Sequence, residues 1–409
     1  MTTECAITAT ALANCLGTDS RTALDRAFAG DDAFSPASAF HEFPFQTMLG
    51  VMPGINARRG LYATDSDRDD DALDCVPTRL AVAALASVRQ IRPAVRDATE
   101  RWGARRVAYV FASSTGGLDE TERALAPDPR LPLASGRYRY TDHGIDATSQ
   151  AIARHLGVEG VAIAISTACS SSFHALASAL RLIDRGLADA AVVGCADSLC
   201  RTTVFGFHGL GLTAPTATRP FARDRAGITL GEGSAYALVE RDAPDTRRRA
   251  LAWIAGIGAA SDAFHHTSPH PDGLGGQLCM RQALDRAGMS PDDIDLVSAH
   301  GTGTKLNDAA EAAAVRQVFG RRVPLTATKS LTGHTLGSAG LTALVLAIES
   351  LRRQEIPATL RVAPLDDALG VDVVDRRTAA ELRRVLVNAF GFGGSSVSVV
   401  VSRPDTRPS

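Results

Sequence analysis

Short runs of wholly apolar residues recur along this chain, and most are followed by a stretch with helical spacing. Val161–Ile165 precedes Phe173–Leu187, where Leu176, Leu180, Ile183 and Leu187 fall on one helical face. Ile294–Ala299 precedes Asp308–Phe319, and Val323–Thr326 leads to the apolar Gly340–Arg352. Arg106–Ala112 and Ala188–Gly194 read the same way. A strand that is apolar on both faces must be covered on both, so the pattern predicts α/β layers with mostly parallel sheets. At 409 residues the chain can bury ample apolar surface and should hold two subdomains. Composition turns polar at Asp242–Arg249, between two strand-like runs, which divides the chain into halves 1–245 and 246–409. A weak echo supports duplication: Cys169 precedes one long helix, and Gly333-His334-Thr335-Leu336-Gly337 precedes another.

A net charge of −2 leaves no global nucleic-acid footprint. The seven cysteines are odd in number and scattered, with no CxxC or Cys/His metal spacing. They read as reduced, mostly buried thiols in a reducing compartment, with no metal site. Met1–Gly17 has no basic leader region, and no apolar run is long enough to span a bilayer. The expectation is a cytoplasmic protein that binds neither nucleic acid nor membrane.

Four segments join an apolar strand to small or reactive residues: Thr167–Ser172, His300–Thr304, Lys329–Gly337 and Phe390–Ser396. In open α/β sheets ligands sit beyond the carboxyl ends of strands, so these loops should converge on one site. Cys169 stands where a buried strand ends and a helix begins. The helix N-terminus should lower the thiol pKa and make a nucleophile; the alternative is a small buried hydrophobe. His300 and His334 each stand among glycines that permit close ligand approach. A neutral histidine can donate to a developing oxyanion or enolate, and the Lys329 cation would strengthen this. A buried Lys329 needs a partner, for which Glu311 is the candidate. His41, His155 and His174 read as surface or satisfied core residues. The turn Gly391-Phe392-Gly393-Gly394 lacks a P-loop Lys-Ser/Thr and the Rossmann spacing, which leaves an oxyanion-hole N–H as its better use.

At these residues the chain resembles the β-ketoacyl-[acyl carrier protein] synthases of the thiolase-like superfamily. Thr-Ala-Cys169-Ser-Ser resembles the nucleophile motif. Ala299-His300-Gly-Thr-Gly-Thr304, with Asn307-Asp308 and Glu311, resembles the first histidine motif. Thr328-Lys329-Ser-Leu-Thr-Gly-His334 with Gly337-Ser-Ala-Gly340 resembles the lysine and second-histidine motif, and Asn388-Ala-Phe-Gly-Phe392-Gly-Gly394 the C-terminal gating turn. The resemblance implies a five-layered α-β-α-β-α fold of two pseudo-duplicated halves, and a dimer. It implies that Cys169 takes an acyl chain from a carrier-protein thioester. Malonyl carrier protein then loses CO2 with His300 and His334 stabilising the enolate, and attack on the Cys169 thioester releases a 3-ketoacyl carrier protein. Glu311 would hold Lys329, and the N–H groups of Cys169 and Phe392 would form the oxyanion hole. Thr267, Ser268, Thr302 and Thr304 would grip the carrier's phosphopantetheine arm. No cofactor of the enzyme's own is implied.

The two-histidine pattern argues against the priming Cys/His/Asn branch, and Phe392 with its glycines against a thiolase. An intact Cys169 argues against a non-elongating chain-length-factor role. Gly194–Cys200 and Arg219–Gly233 look more like type II polyketide and aryl-polyene synthases than like housekeeping fatty acid synthases, the alternative reading. An acyl-pocket wall is expected at Thr115, Phe205, Phe207 and His208; Thr115 and His208 depart from the residues common there. Candidate carrier-docking cations are Arg58-Arg59, Arg201, Arg352-Arg353 and Arg376-Arg377, while the run Asp65–Asp71 is acidic where many relatives are basic. Partners would be acyl carrier protein and a second subunit, either identical or a chain-length-factor-like homologue.

Overall fold

The structure, a computed structural model, describes residues 4–55, 78–126, 138–320 and 322–406. Arg58-Arg59 and Asp65–Asp71 lie outside the described residues. Eleven strands form one sheet. In chain order they are β1 (Cys5–Asn14), β2 (Val107–Ala112), β3 (Ala162–Ile165), β4 (Ala190–Asp197), β5 (Gly233–Arg241) and β6 (Ala252–Ser261). There follow β7 (Leu296–Ser298), β8 (Pro324–Thr326), β9 (Asp372–Val373), β10 (Arg384–Phe390) and β11 (Ser395–Ser402). Their spatial order is β9-β8-β7-β10-β11-β6-β1-β5-β4-β2-β3. The first half reads β1-β5-β4-β2-β3. The second reads β6-β11-β10-β7-β8 with the short β9 added at its edge; leaving β9 aside, this is the same arrangement of first, last, fourth, second and third strand. The halves join where β1 pairs antiparallel with β6 over Cys5–Ile254, Ala6–Trp253 and Ile7–Ala252.

Pairing is less parallel than the apolar runs predict. β2 runs parallel to β3 and β4, and β7 parallel to β8 and β10. In each half, however, the last strand lies antiparallel to both its neighbours. An apolar run reports burial of both faces, and burial comes with either direction of pairing.

Seven helices matter for the site. They are α1 (Arg79–Trp102), α2 (Ser171–Asp184), α3 (Arg201–Gly209), α4 (Leu274–Ala287), α5 (Lys305–Phe319), the single turn α6 (Lys329–Thr332) and α7 (Ala339–Arg353). The largest core cluster holds Phe173, Leu176 and Ile183 of α2 and Leu341, Leu344 and Leu351 of α7, with residues from both halves of the sheet. A second cluster packs α1 on the outer face of the first half, and a third packs α4 and α5 on the outer face of the second. Helix, sheet, helix, sheet and helix thus make five layers, with the Cys169 helix and the His334 helix in the middle one. α1 starts on a Thr78 side-chain cap and runs through Pro93 to Trp102.

One expectation is reversed. Val161–Ile165 reads as a buried strand, but β3 is the terminal strand of the sheet, with Val161 39% and Ile163 37% exposed. Among the described residues nothing covers Val161 and Ile163 fully.

Candidate active site

The β3 strand ends at Ile165, and the chain then makes a tight turn through Cys169 before α2 starts at Ser171. Ala168 takes φ +52, a left-handed conformation that costs a residue with a Cβ about 1–2 kcal/mol. Its carbonyl is held by two hydroxyls, Ser171 at 2.6 Å and Ser114 at 3.1 Å. The turn places Cys169 two residues before the first residue of α2 and buries it to 5% exposure. The sequence predicts a lowered thiol pKa; burial instead pushes it up to about 12. The Lys329 charge and the peptide N–H groups of Cys169 and Phe392 pull it back, while Asp197 pushes it further up. The helix start alone does not outweigh desolvation, and the thiolate depends on Lys329 and the two N–H groups.

His300 follows the end of β7 and His334 follows α6, and their rings meet at right angles with centroids 5.4 Å apart. His334 accepts the Leu336 N–H at Nδ1, 3.1 Å away. His300 Nδ1 lies 3.2 Å from Lys329 Nζ, which also donates to the His300 carbonyl. Both Nδ1 atoms are therefore acceptors, and the ring protons sit on Nε2. Burial and the Lys329 charge hold both imidazoles well below their ordinary pKa, so both are neutral donors. Lys329 itself is pushed down to about 8 by burial, against the pull of Glu311, Cys169 and Asp308.

Glu311 supports the site differently from the expected contact with Lys329. Its carboxylate accepts the N–H groups of His300 and Gly301, each at 2.8 Å, and the Asn388 amide at 3.0 Å. It acts on Lys329 through its charge and fixes the His300 backbone. Asp308 does the same for the next two residues, accepting from Thr302 and Gly303. Asn388 and Asp197 were missed as site residues. Each is a lone polar group inside an apolar strand, Asn388 in β10 and Asp197 at the end of β4, and that is the signal that marks them.

A cleft of about 190 Å³ leads to Cys169. His300, His334, Glu311, Phe392, Thr267, Ser268, Thr302 and Thr304 all line it, and Lys329 is buried behind His300. Of the four residues expected at the acyl-pocket wall, only Phe207 lines it, stacked 5.5 Å from Phe392. His208 stacks instead on Phe45, and Phe205 packs against Phe43 and Phe45. Thr115 turns away to Asp197, to which its N–H and hydroxyl both donate at 2.8 Å. The helical phase of α3 separates Phe207 from its neighbours, and a residue-by-residue match of motifs does not see that phase.

Residues 2–244 match the family described as "Beta-ketoacyl synthase, N-terminal domain", and residues 251–363 match its C-terminal domain. The chain belongs to the β-ketoacyl synthase family. This ketosynthase is 34% identical over 320 residues to a 3-oxoacyl-[acyl-carrier-protein] synthase 2 of Vibrio cholerae, covering 73% of this chain and 76% of that one. It is 31% identical over 364 residues to nodulation protein E of Rhizobium meliloti, covering 86% and 88%. It superposes on a ketosynthase solved in complex with its chain length factor from Xenorhabdus doucetiae, with a TM-score of 0.86, 33% identity and 98% of both chains covered. The ketosynthase is a condensing acyltransferase, and its substrates are carried on acyl carrier protein. Among the described residues no helix is long and apolar enough to cross a membrane.

Proposed function

We propose that this ketosynthase extends carrier-bound acyl chains in a cytoplasmic type II polyketide or polyene pathway, with Cys169, His300, His334 and Lys329 as its catalytic groups. The observation that carries the reading is the pair of neutral imidazoles with Nδ1 occupied and Nε2–H free for the cleft that ends at Cys169. The Cys169 sulfur attacks the acyl thioester, its proton leaves with the carrier thiol, and the acyl oxygen rests on the N–H groups of Cys169 and Phe392. Malonyl carrier protein then enters, its phosphopantetheine arm along Thr267, Ser268, Thr302 and Thr304. Loss of CO2 leaves an enolate whose oxygen accepts from both Nε2–H groups. Its carbon attacks the Cys169 thioester, the Cys169 thiolate leaves and takes a proton, and the 3-ketoacyl carrier protein departs. Neither imidazole can serve as a base through Nε2 without first losing its Nδ1 contact, which favours the donor role.

The pathway rests on likeness to the Xenorhabdus doucetiae ketosynthase; the likeness to synthase 2 proteins favours fatty acid elongation as the second reading. The partner proposed beside acyl carrier protein is a chain-length-factor-like subunit or a second copy, seated on the open β3 edge. Mass spectrometry of carrier-bound products, after incubation with malonyl carrier protein and saturated or polyunsaturated starters, separates the readings. Exclusive use of saturated chains would sink the polyene reading. Cys169→Ala is expected to abolish condensation, and Cys169→Gln to keep or raise malonyl decarboxylation. Loss of decarboxylation in the glutamine variant would contradict the division of roles.

A further inference from the structure

His174 lies in the first turn of α2, five residues after the nucleophile, and reads from sequence as an ordinary core or surface imidazole. The structure gives it a specific set of partners. Its Nε2 lies 2.9 Å from Ser395 Oγ, and Ser395 Oγ lies 2.9 Å from Ser170 Oγ. Ser170 Oγ in turn lies 2.9 Å from the Thr167 carbonyl. The direction of this chain follows from proton counting. The Thr167 carbonyl can only accept, so the single Ser170 proton goes there. Ser170 then accepts from Ser395, and Ser395, its one proton spent, accepts from His174 Nε2–H. Burial and Arg181 lower the His174 pKa, which leaves this imidazole neutral with its proton on Nε2.

The chain joins the two turns that make the oxyanion hole. Ser395 closes the 391–395 turn, its carbonyl accepting the Gly391 N–H at 2.6 Å. The same turn carries Phe392, whose N–H faces the Cys169 sulfur. Gly391 approaches the nucleophile turn so closely that a Cβ there would lie 3.0 Å from both Ser170 Oγ and the Thr167 carbonyl. On the opposite side, among the described residues, main-chain bonds tie the turn, Gly393 N–H to the His266 carbonyl and Asp262 N–H to the Gly394 carbonyl. Phe207 stacks on the Phe392 ring, but the turn's side-chain hydrogen bonds, through Ser395 to Ser170 and His174, sit on the His174 side.

We propose that His174 is a positioning residue for acyl transfer: through Ser395 and Ser170 it latches the 391–395 turn against the nucleophile turn and keeps the Phe392 N–H on the acyl oxygen. This rests on the condensing reading above. His174 touches neither acyl chain nor malonyl unit. The latch acts on the half of the reaction that uses Phe392 and leaves alone the half that uses His300 and His334.

The test compares His174→Ala, His174→Gln and Ser395→Ala in the full chain with its partner subunit. His174→Ala and Ser395→Ala are expected to slow acylation of Cys169 about 10- to 100-fold, the loss usual for an outer residue that orients a site. Malonyl decarboxylation should stay near wild type. The double variant should be no slower than either single one, because both remove the same contact. His174→Gln, whose amide can donate from a similar position, should restore much of the rate. A second readout needs no substrate: the pH dependence of iodoacetamide alkylation at Cys169, followed on its peptide. The Phe392 N–H stabilises the thiolate beside Lys329 and against Asp197, so loosening the turn should move the alkylation profile to higher pH. The proposal is overturned if His174→Ala acylates at the wild-type rate, if both half-reactions fall in the same proportion, or if the alkylation profile does not move. Should the wild-type protein fail to acylate at all, the condensing reading fails, and the alkylation profile still decides whether the latch exists. Ser395→Ala carries the test if His174→Ala does not fold.

Discussion

Lys329 is the charge on which the site balances. Burial works against its ammonium, and Glu311, Cys169 and Asp308 work for it, with the outcome near pH 8. Its cation lowers the Cys169 pKa, and the Asp197 carboxylate raises it. The signs are therefore opposite for the two neutralising variants. Lys329→Met should shift Cys169 alkylation to higher pH, because the thiolate loses its counter-charge. Asp197→Asn should shift it to lower pH, because a repelling charge is gone, while an amide oxygen can still accept from Ser114 and Thr115. Equal shifts in one direction would mean that altered packing governs the thiol. Residue identity was the most legible part of this site. Cys169, His300, Lys329, His334 and Phe392 could be singled out because each falls in a segment that joins an apolar strand to small or reactive residues. Their protonation was not legible. The Cys169 pKa depends on burial by segments more than 150 residues away in the chain, and no local pattern encodes that.

At the scale of elements, glycine marks where a helix rides close on the sheet. A Cβ at Gly258 in β6 would lie 2.0 Å from the Cys279 carbonyl and 2.6 Å from the Ala283 nitrogen of α4. Both are backbone atoms, so the helix would have to lift. Gly258→Ala is expected to lower stability by about 1–3 kcal/mol, the cost of overpacking a closed interface. A urea titration of the variant measures it, and an unchanged midpoint would mean that α4 moves freely. Helices were placed well from sequence where caps exist. Asp19 caps the first helix, Ser20–Ala29, and Gly30 ends it, both residue types that mark helix ends in a sequence. Placement failed where the deciding contact is distant. Nothing in Val161–Ile165 distinguishes a central strand from an edge strand, because both are apolar when the edge has a use. Likewise the spacing of Phe205, Phe207 and His208 does not say which of them lines the cleft; packing against Phe43 and Phe45 decides it.

For the whole molecule, the open β3 edge states what the chain lacks. An apolar edge strand with unpaired N–H and C=O groups is a template for pairing with another chain. The proposed second subunit would bury it. Ile163→Arg should convert the assembly to single chains, read by light scattering after gel filtration, for an identical or a homologous partner alike. An unchanged mass would place the subunit contact elsewhere. The α/β layering was legible in the rhythm of strands and helices and the five layers through the family resemblance, whereas the antiparallel placement of each last strand was not. That placement has a consequence for synthesis. β1 is made first, yet its neighbours in the sheet are β5, at residues 233–241, and β6, at residues 252–261. At about 5–20 residues per second, the opening strand waits roughly 10–45 s for β5 to be made. Until then the ribosome carries a nascent chain whose central seam is missing, and the first half can close only when its last strand arrives.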